Sequence, residues 1–239
     1  MAINFYQTGL VALFGSALLL TNIGHAAPVK FEKVGNAVTI NYNGNIEETD
    51  VRGLTAATTF TLTAINSNTL SFDITIKNTS DTSLWSSSRI SAIGFNTDPN
   101  ISSALITSPS NWFAVLDGKF PNGFGDIDIC FKEDGGEKNC TGNGSGGISL
   151  EETLELKVEL TFLGNPPPVN FDNFGVRYQS LTSKGLIDGK KYSDTSGTGK
   201  GTPGTDNPTL PAEIPEPASL LLFGAGLLGF GLNRRRKQA

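Results

Sequence analysis

Charge and a single histidine limit what this chain of 239 residues can do. The only histidine is His25, and a protein that loses it has no imidazole, which excludes Ser-His-Asp and Cys-His catalysis and histidine-ligated zinc or iron. Before residue 234 the chain has 23 acidic and 14 basic side chains, a net charge of −9. Because such a surface repels phosphate backbones, the composition argues against nucleic acid as a partner.

The N-terminus has the organisation of a secretory signal peptide. Residues 10–23 read LVALFGSALLLTNI, an apolar segment too short to span a bilayer comfortably. Small residues stand before the bond between Ala26 and Ala27, where signal peptidase would cut. Signal peptides usually have Lys or Arg before the apolar segment, and this chain has none there. The alternative interpretation of residues 10–23 is a buried N-terminal helix. We predict a signal peptide over residues 1–26, so that His25 is lost on export.

Residues 29–181 consist of short segments in which apolar and polar residues alternate. Val38, Ile40 and Tyr42 share one face of the first segment, and the turn at residues 66–68 joins two further segments. A period of two predicts strands with one buried face. Further strands are predicted over residues 89–95, 112–116, 126–131, 153–162 and 170–179.

These strands, with 15 phenylalanines and two tryptophans to fill a core, predict an all-β domain over residues 27–181. The expected architecture is an antiparallel β-sandwich, of jelly-roll or immunoglobulin-like topology. A closed barrel is the competing architecture, and the sequence does not separate the two.

Cys130 and Cys140 stand ten positions apart, and in an exported chain such a pair predicts a disulfide. The alternatives are two free thiols or half of a metal site, which carboxylates would have to complete. Because residues 135–147 are rich in glycine, we expect the loop to project from the domain as an exposed, stapled loop.

Few residues of the domain suggest a ligand. Trp85, set among serines, is the aromatic residue best suited to stack on a sugar, whereas Trp112 is expected in the core, and Tyr42 and Tyr178 are weaker candidates for stacking. Hard oxygen ligands near a glycine-rich turn could bind calcium, but we favour a solvated acidic loop and predict no metal site. The acidic residues considered for calcium are Asp126, Asp128, Glu133, Asp134 and Glu137.

A hydrolase that works without histidine would need a pair of carboxylates. Asp172 and Asp73 are the acids that we would test, and neither stands in a recognisable motif. We therefore expect no enzymatic activity and no cofactor.

Residues 182–214 are dominated by Gly, Ser, Thr, Asp and Pro, a composition that predicts a flexible linker. Residues 215–239 then read PEPASLLLFGAGLLGFGLNRRRKQA. The uncharged residues 218–232 would form about 22 Å of helix, shorter than the ~30 Å hydrocarbon core, and so predict a marginal transmembrane anchor. The basic cluster Arg234, Arg235, Arg236 and Lys237 should stay cytoplasmic, with the domain outside.

The order of a Pro-Glu-Pro tripeptide, a short apolar segment and a basic end resembles the PEP-CTERM sorting signal. This signal occurs in exported proteins of Gram-negative bacteria that make extracellular polysaccharide. The resemblance implies that an exosortase, a membrane protease-transpeptidase, recognises Pro215, Glu216 and Pro217. It also implies transient anchoring in the inner membrane, followed by delivery to the cell surface or extracellular matrix.

Sorting combined with a lack of catalytic groups leads us to expect a structural or adhesive protein. A carbohydrate-binding module for extracellular polysaccharide is the alternative from a different class. A glycoside hydrolase that uses only carboxylates is the third hypothesis.

Overall fold

The computed structural model describes residues 28–135, 139–142, 146–164 and 166–204, which form strands and turns without an α-helix. The predicted signal peptide and the C-terminal tail lie outside the described residues. The strands are β1 (Val29–Phe31), β2 (Ala37–Ile46), β3 (Thr49–Asn66), β4 (Thr69–Asn78), β5 (Trp85–Asp98), β6 (Ile101–Ser108), β7 (Phe113–Phe120), β8 (Gly125–Lys132), β9 (Thr153–Phe162), β10 (Val169–Ser183) and β11 (Thr195–Pro203).

The strands pair in one continuous antiparallel sheet. Its order is β6-β9-β4-β3-β2-β11-β10-β5-β8-β7, and β1 pairs with the start of β10. The end strands β6 and β7 follow each other in the chain and contact each other, so the sheet is nearly closed and barrel-like. The all-β prediction is confirmed, but a single curved sheet takes the place of the two separate sheets expected for a sandwich.

Irregular pairing explains how the sheet curves. Strands β5 and β10 shift register four times along their length, and β3 shifts against β4 between Leu62 and Ala64. Each β-bulge bends its strand and increases the local twist. Long strands such as β3 and β10 can therefore wrap around the core instead of ending at its edge.

The core inside the curved sheet is built mainly from phenylalanine rings. Phe60 and Phe72, from β3 and β4, face Phe95 and Phe171, from β5 and β10. The rings of Phe95 and Phe171 stack with centroids 4.5 Å apart, and those of Phe60 and Phe95 meet edge to face at 5.2 Å. Such pairs stabilise by about 0.5–1.5 kcal/mol beyond the area that they bury.

The predicted strand over residues 153–162 coincides with β9, in which Leu156, Val158, Leu160 and Phe162 are buried. The turn predicted at residues 66–68 is confirmed as well. There Ser67 adopts a φ of 55° between β3 and β4.

The prediction of a flexible linker from residue 182 is wrong for its first part. Strand β10 continues to Ser183, and β11 lies between β10 and β2 in the middle of the sheet. The glycines that suggested a linker allow close packing instead. A Cβ on Gly201 would lie 2.5 Å from Ile40 Cγ2 and 2.7 Å from Tyr42 Cε1. Residues 205–214 of the predicted linker lie outside the described residues.

Candidate functional site

The disulfide between Cys130 and Cys140 is confirmed, with Cα atoms 6.0 Å apart. Cys130 belongs to β8, and both residues are fully buried. The bond therefore fastens the segment after β8 directly onto the sheet.

The segment after β8 does not project as predicted. We call residues 139–142 and 146–148 the strap. Residues 139–142 lie against the outer face of β5 and β10, and Ile148 pairs with the edge of β5. The carbonyl of Thr141 accepts hydrogen bonds from Ser91 Oγ at 3.1 Å and from Gln179 Nε2 at 2.7 Å. Ile90 and Ile148 exchange two backbone hydrogen bonds of 2.9 Å. The expectation of an exposed loop is therefore wrong for the strap, while residues 136–138 and 143–145 lie outside the described residues.

Glycines let the strap approach the sheet so closely. A Cβ on Gly142 would lie 2.7 Å from both Cβ and the carbonyl oxygen of Ser91, and one on Gly147 would meet the carbonyl oxygen of Ile90. Both glycines have positive φ, 65° and 94°, a conformation that other residues rarely adopt. The glycines that suggested mobility therefore have two structural roles here: they leave room for close contact with the sheet, and they adopt backbone angles that other residues rarely adopt.

A second apolar cluster lies beneath the strap, separate from the phenylalanine core. Its buried members are Ala92, Phe120, Ile127, Cys130 and Cys140. The disulfide is therefore part of a small core on the outside of the sheet, where it covers apolar side chains that water would otherwise reach.

Arg177 of β10 lies on the same outer face and is only 8% exposed. Its guanidinium donates from Nη1 to the carbonyl of Gly197 at 3.2 Å and from Nη2 to Ser196 Oγ at 2.9 Å. Burial lowers the pKa of this guanidinium. Sequence reasoning missed the residue, because an arginine within an alternating strand is usually exposed. Its bonds to β11 give it a role in holding the two strands together.

Trp85 does not form a sugar platform. The side chain is fully buried, and its ring lies against Tyr192 with centroids 5.6 Å apart. Trp112 is buried in the core as expected, and Tyr42 and Tyr178 are buried too. Burial raises the pKa of both tyrosines, and the neighbouring Tyr42 raises that of Tyr178 further. All four aromatic residues considered for stacking are therefore part of the core.

The two acids considered for glycoside hydrolysis do not come together. Asp73 on β4 forms an exposed ion pair with Lys157, with an Nζ to Oδ1 distance of 3.2 Å. Asp172 lies on β10, four strands away in the sheet order. The rings of Phe72 and Phe171, which directly precede these acids, meet across the core with centroids 5.3 Å apart, so the two carboxyl groups point away from the core on opposite sides of it. These two residues therefore cannot act as a catalytic pair.

Among the acids considered for calcium, Asp128 has structural partners. Oδ2 of Asp128 accepts a hydrogen bond from the backbone N–H of Thr97 at 2.7 Å, while its own N–H donates to Asn96 at 3.2 Å. These bonds tie β8 to β5. No group of three or more His, Cys, Asp or Glu within the described ranges could hold a metal ion. Glu137 lies outside those ranges.

One shallow cleft on the surface collects hydroxyl groups. It has a volume of about 340 Å³ and is lined by Ser86, Ser87, Ser88, Arg89, Ser149, Leu150 and Ser180. Arg89 Nη2 donates to Ser180 Oγ at 2.7 Å. The lining offers hydrogen-bond donors and one positive charge but no carboxylate, so it is suited to binding and not to acid-base catalysis.

The sorting residues Pro215, Glu216 and Pro217, the basic cluster, and the cleavage site at Ala26 and Ala27 all lie outside the described residues. The part of the chain that the structure describes contains no helix that is long and apolar enough to cross a membrane.

Comparison with known proteins identifies a sorting motif near the C-terminus. Residues 213–237 match the PEP-CTERM protein-sorting motif. No curated protein and no solved structure matches the chain. The matched segment includes the Pro-Glu-Pro tripeptide, the apolar residues 218–232 and the basic cluster. The chain therefore carries a PEP-CTERM protein-sorting motif and is an exported protein that is sorted through an exosortase to the cell surface.

Proposed function

We propose that the protein is a non-catalytic structural or adhesive component of the cell surface or extracellular matrix. The observation that carries this proposal is the sorting motif at residues 213–237. It is supported by the fate of the groups considered for chemistry, since Trp85 packs in the core and Asp73 pairs with Lys157. A disulfide that seals a small outer core also suits an oxidising compartment.

Delivery in this proposal has three steps. Signal peptidase cuts between Ala26 and Ala27, the apolar residues 218–232 hold the chain in the inner membrane, and the exosortase acts at Pro215, Glu216 and Pro217. Strand β11 ends at Pro203, so residues 204–214 connect the sheet to the tripeptide. Eleven residues span at most about 40 Å. The domain is therefore held close to the membrane until the exosortase acts.

A variant of the tripeptide tests the sorting step in living cells. Glu216→Ala should leave the protein in the membrane fraction and remove it from the cell surface. Asp206→Ala is the matched control, because this acid lies before the matched segment. Equal surface display of both variants would contradict sorting through the tripeptide.

A second experiment tests the attachment role and the absence of catalysis separately. Deletion of the gene should weaken attachment of the cells to a surface, and the wild-type gene should restore it. Purified mature protein incubated with the exported polysaccharide should produce no new reducing ends. Unchanged attachment would refute the structural role, and new reducing ends would refute the non-catalytic role.

A carbohydrate-binding role is the second candidate. The surface that supports it is the hydroxyl-lined cleft around Arg89, since Trp85 is buried. A guanidinium beside serine hydroxyls would recognise the carboxylate or sulfate of an acidic sugar. Binding to an acidic glycan that is lost in Arg89→Ala and kept in Arg52→Ala, a change of an exposed arginine elsewhere, would support this role. Equal binding by the two variants would exclude the cleft.

A further inference from the structure

The curved sheet ends at β6 on one side and at β7 on the other. Strand β6 pairs with β9 along one edge. It also contacts β7, but within the described residues no strand forms a hydrogen-bonded ladder with its other edge. The backbone N–H and C=O groups of an open edge are a template for a further strand.

The two end strands differ in charge. β7 includes Asp117 and Lys119, charges of the kind that keep sheet edges from pairing with other chains. β6 reads ISSALITS and lies within residues 99–116, which contain no Asp, Glu, Lys or Arg. In an exported domain with an excess of acidic residues, this edge is free of the like charges that oppose self-association.

The ends of β6 are protected, and its centre is not. Register shifts against β9 occur between Ile101 and Ser103 and between Ile106 and Ser108. Pro99 and Pro109 flank the strand, and proline cannot donate to a sheet ladder. Regular pairing with a further strand is therefore confined to about residues 103–107.

The central residues present apolar side chains on both faces of the sheet. Leu105 is 57% exposed on the outer face, whereas Ala104 and Ile106 are partly buried against the phenylalanine core. The order Ser103, Ala104, Leu105, Ile106, Thr107 is symmetric in polarity about Leu105. An antiparallel copy of the same strand would set leucine against leucine, Ala104 against Ile106, and Ser103 against Thr107.

We propose that β6 pairs edge to edge with β6 of a second copy of this chain, antiparallel about a twofold axis beside Leu105. Such an interface uses the same surface of both copies and closes as a dimer. The inference concerns the folded domain alone and does not depend on the sorting motif or on the proposed function.

The charges nearest to this interface do not oppose pairing. Glu159 of β9 lies opposite Leu105 in the register. In the dimer, Glu159 of one copy and Glu159 of the other would be separated by three strand spacings, about 14 Å. That distance exceeds the Debye length of about 8 Å at physiological ionic strength, so the repulsion between them is largely screened.

Sedimentation equilibrium of the mature protein, recovered after export, tests the proposal over a range of protein concentrations. The wild-type protein should change from monomer to dimer as concentration rises. Leu105→Lys should weaken the dimer by about tenfold or more, because it sets two positive charges opposite each other. Leu186→Lys is the matched control, since Leu186 is 68% exposed and lies in the connection between β10 and β11.

A wild-type protein that stays monomeric at every concentration would overturn the proposal. A dimer that Leu105→Lys leaves unchanged would overturn it too. Thermal unfolding of both lysine variants shows whether any loss of the dimer comes instead from misfolding.

Cross-linking tests the register independently of affinity. Directly opposed residues of an antiparallel pair have Cα atoms about 4.5–5.5 Å apart, within the range of a disulfide. Leu105→Cys should therefore form a disulfide-linked dimer under oxidising conditions. Thr107→Cys should not, because two copies of residue 107 would be about 13 Å apart along the strands. Equal linkage of both variants, or none in either, would contradict the twofold pairing.

Discussion

Strands β9 and β11 belong to the same sheet but depend on opposite kinds of side chain. In β9, Leu156, Val158 and Leu160 fill the interior, and charged residues alternate with them on the outside. In β11, Gly197, Gly199 and Gly201 leave the interior to side chains of neighbouring strands, and a Cβ on Gly199 would meet the carbonyl oxygen of Asn43. Strand β9 is therefore stabilised by the apolar side chains that it buries, and β11 by the close approach of neighbouring strands that its glycines allow.

The largest expected effect comes from emptying the core that β9 helps to fill, where Phe171 of β10 stacks on Phe162 of β9 with ring centroids 6.4 Å apart. Phe171 contacts Phe31 and Phe95 with ring centroids 4.9 Å and 4.5 Å away. Phe171→Ala should lower the free energy of unfolding by about 3–5 kcal/mol, because it leaves a cavity in the core. Urea denaturation measures the change. Phe113→Ala, which removes a ring that is 43% exposed on β7, should cost about 0.5 kcal/mol or less.

Removing the disulfide should have the next largest effect. Replacing Cys130 and Cys140 together by alanine should lower the free energy of unfolding by about 2–3 kcal/mol, since the bond closes a short loop. Hydrogen exchange should become faster at the strap amides of residues 139–142 and stay unchanged in β9. Equal acceleration in both places would mean that the strap and the core unfold as one unit.

Filling the space that β11 leaves should be destabilising as well. Gly201→Ala places a methyl group 2.5 Å from Ile40 Cγ2 and should lower the free energy of unfolding by about 1–3 kcal/mol. Gly185 faces open space and has no positive φ, so Gly185→Ala should change stability by about 0.5 kcal/mol or less. If the two variants were equally stable, β11 would behave as the linker that its composition predicts.

The smallest expected effect concerns alkaline pH. Burial raises the pKa of Tyr42 and Tyr178, whereas a tyrosine in the unfolded chain ionises near pH 10. Above about pH 10 the unfolded state therefore loses protons that the folded state keeps, and stability falls as pH rises. Urea denaturation at several pH values measures the slope. A variant with both tyrosines changed to phenylalanine should show a shallower slope, and an identical slope would contradict this cause.

Periodicity predicted the strands whose two faces differ clearly. The alternation in residues 153–162 gave β9 its bounds, and the spacing of Cys130 and Cys140 predicted their bond. Strand β6 was missed, because serine and threonine occupy much of an exposed edge and leave little alternation to detect. Strand β11 was missed because glycine carries no pattern, so its place depends on residues far away in the chain. Lys200, for example, donates its backbone N–H to Asn43 Oδ1 at 3.0 Å.

The features of the candidate site also fall into two groups, those that the local sequence predicts and those that depend on residues far away in the chain. The tail could be predicted from residues 215–239, because the order of rigid tripeptide, apolar segment and basic cluster is a local property of the sequence. The burial of Trp85 could not be predicted, since the ring that covers it, Tyr192, lies in a segment interpreted as linker. The attachment of the strap likewise depends on Ser91 and Gln179, which carry no signal of that contact in the sequence.

Intact mass measurement of the protein recovered from the cell surface tests the central claim most directly. A chain that begins at Ala27, ends close to Pro217 and retains the disulfide is the predicted result. A surface protein whose mass includes residues 218–239 would show that the exosortase does not process the tail, and the account of sorting would be contradicted.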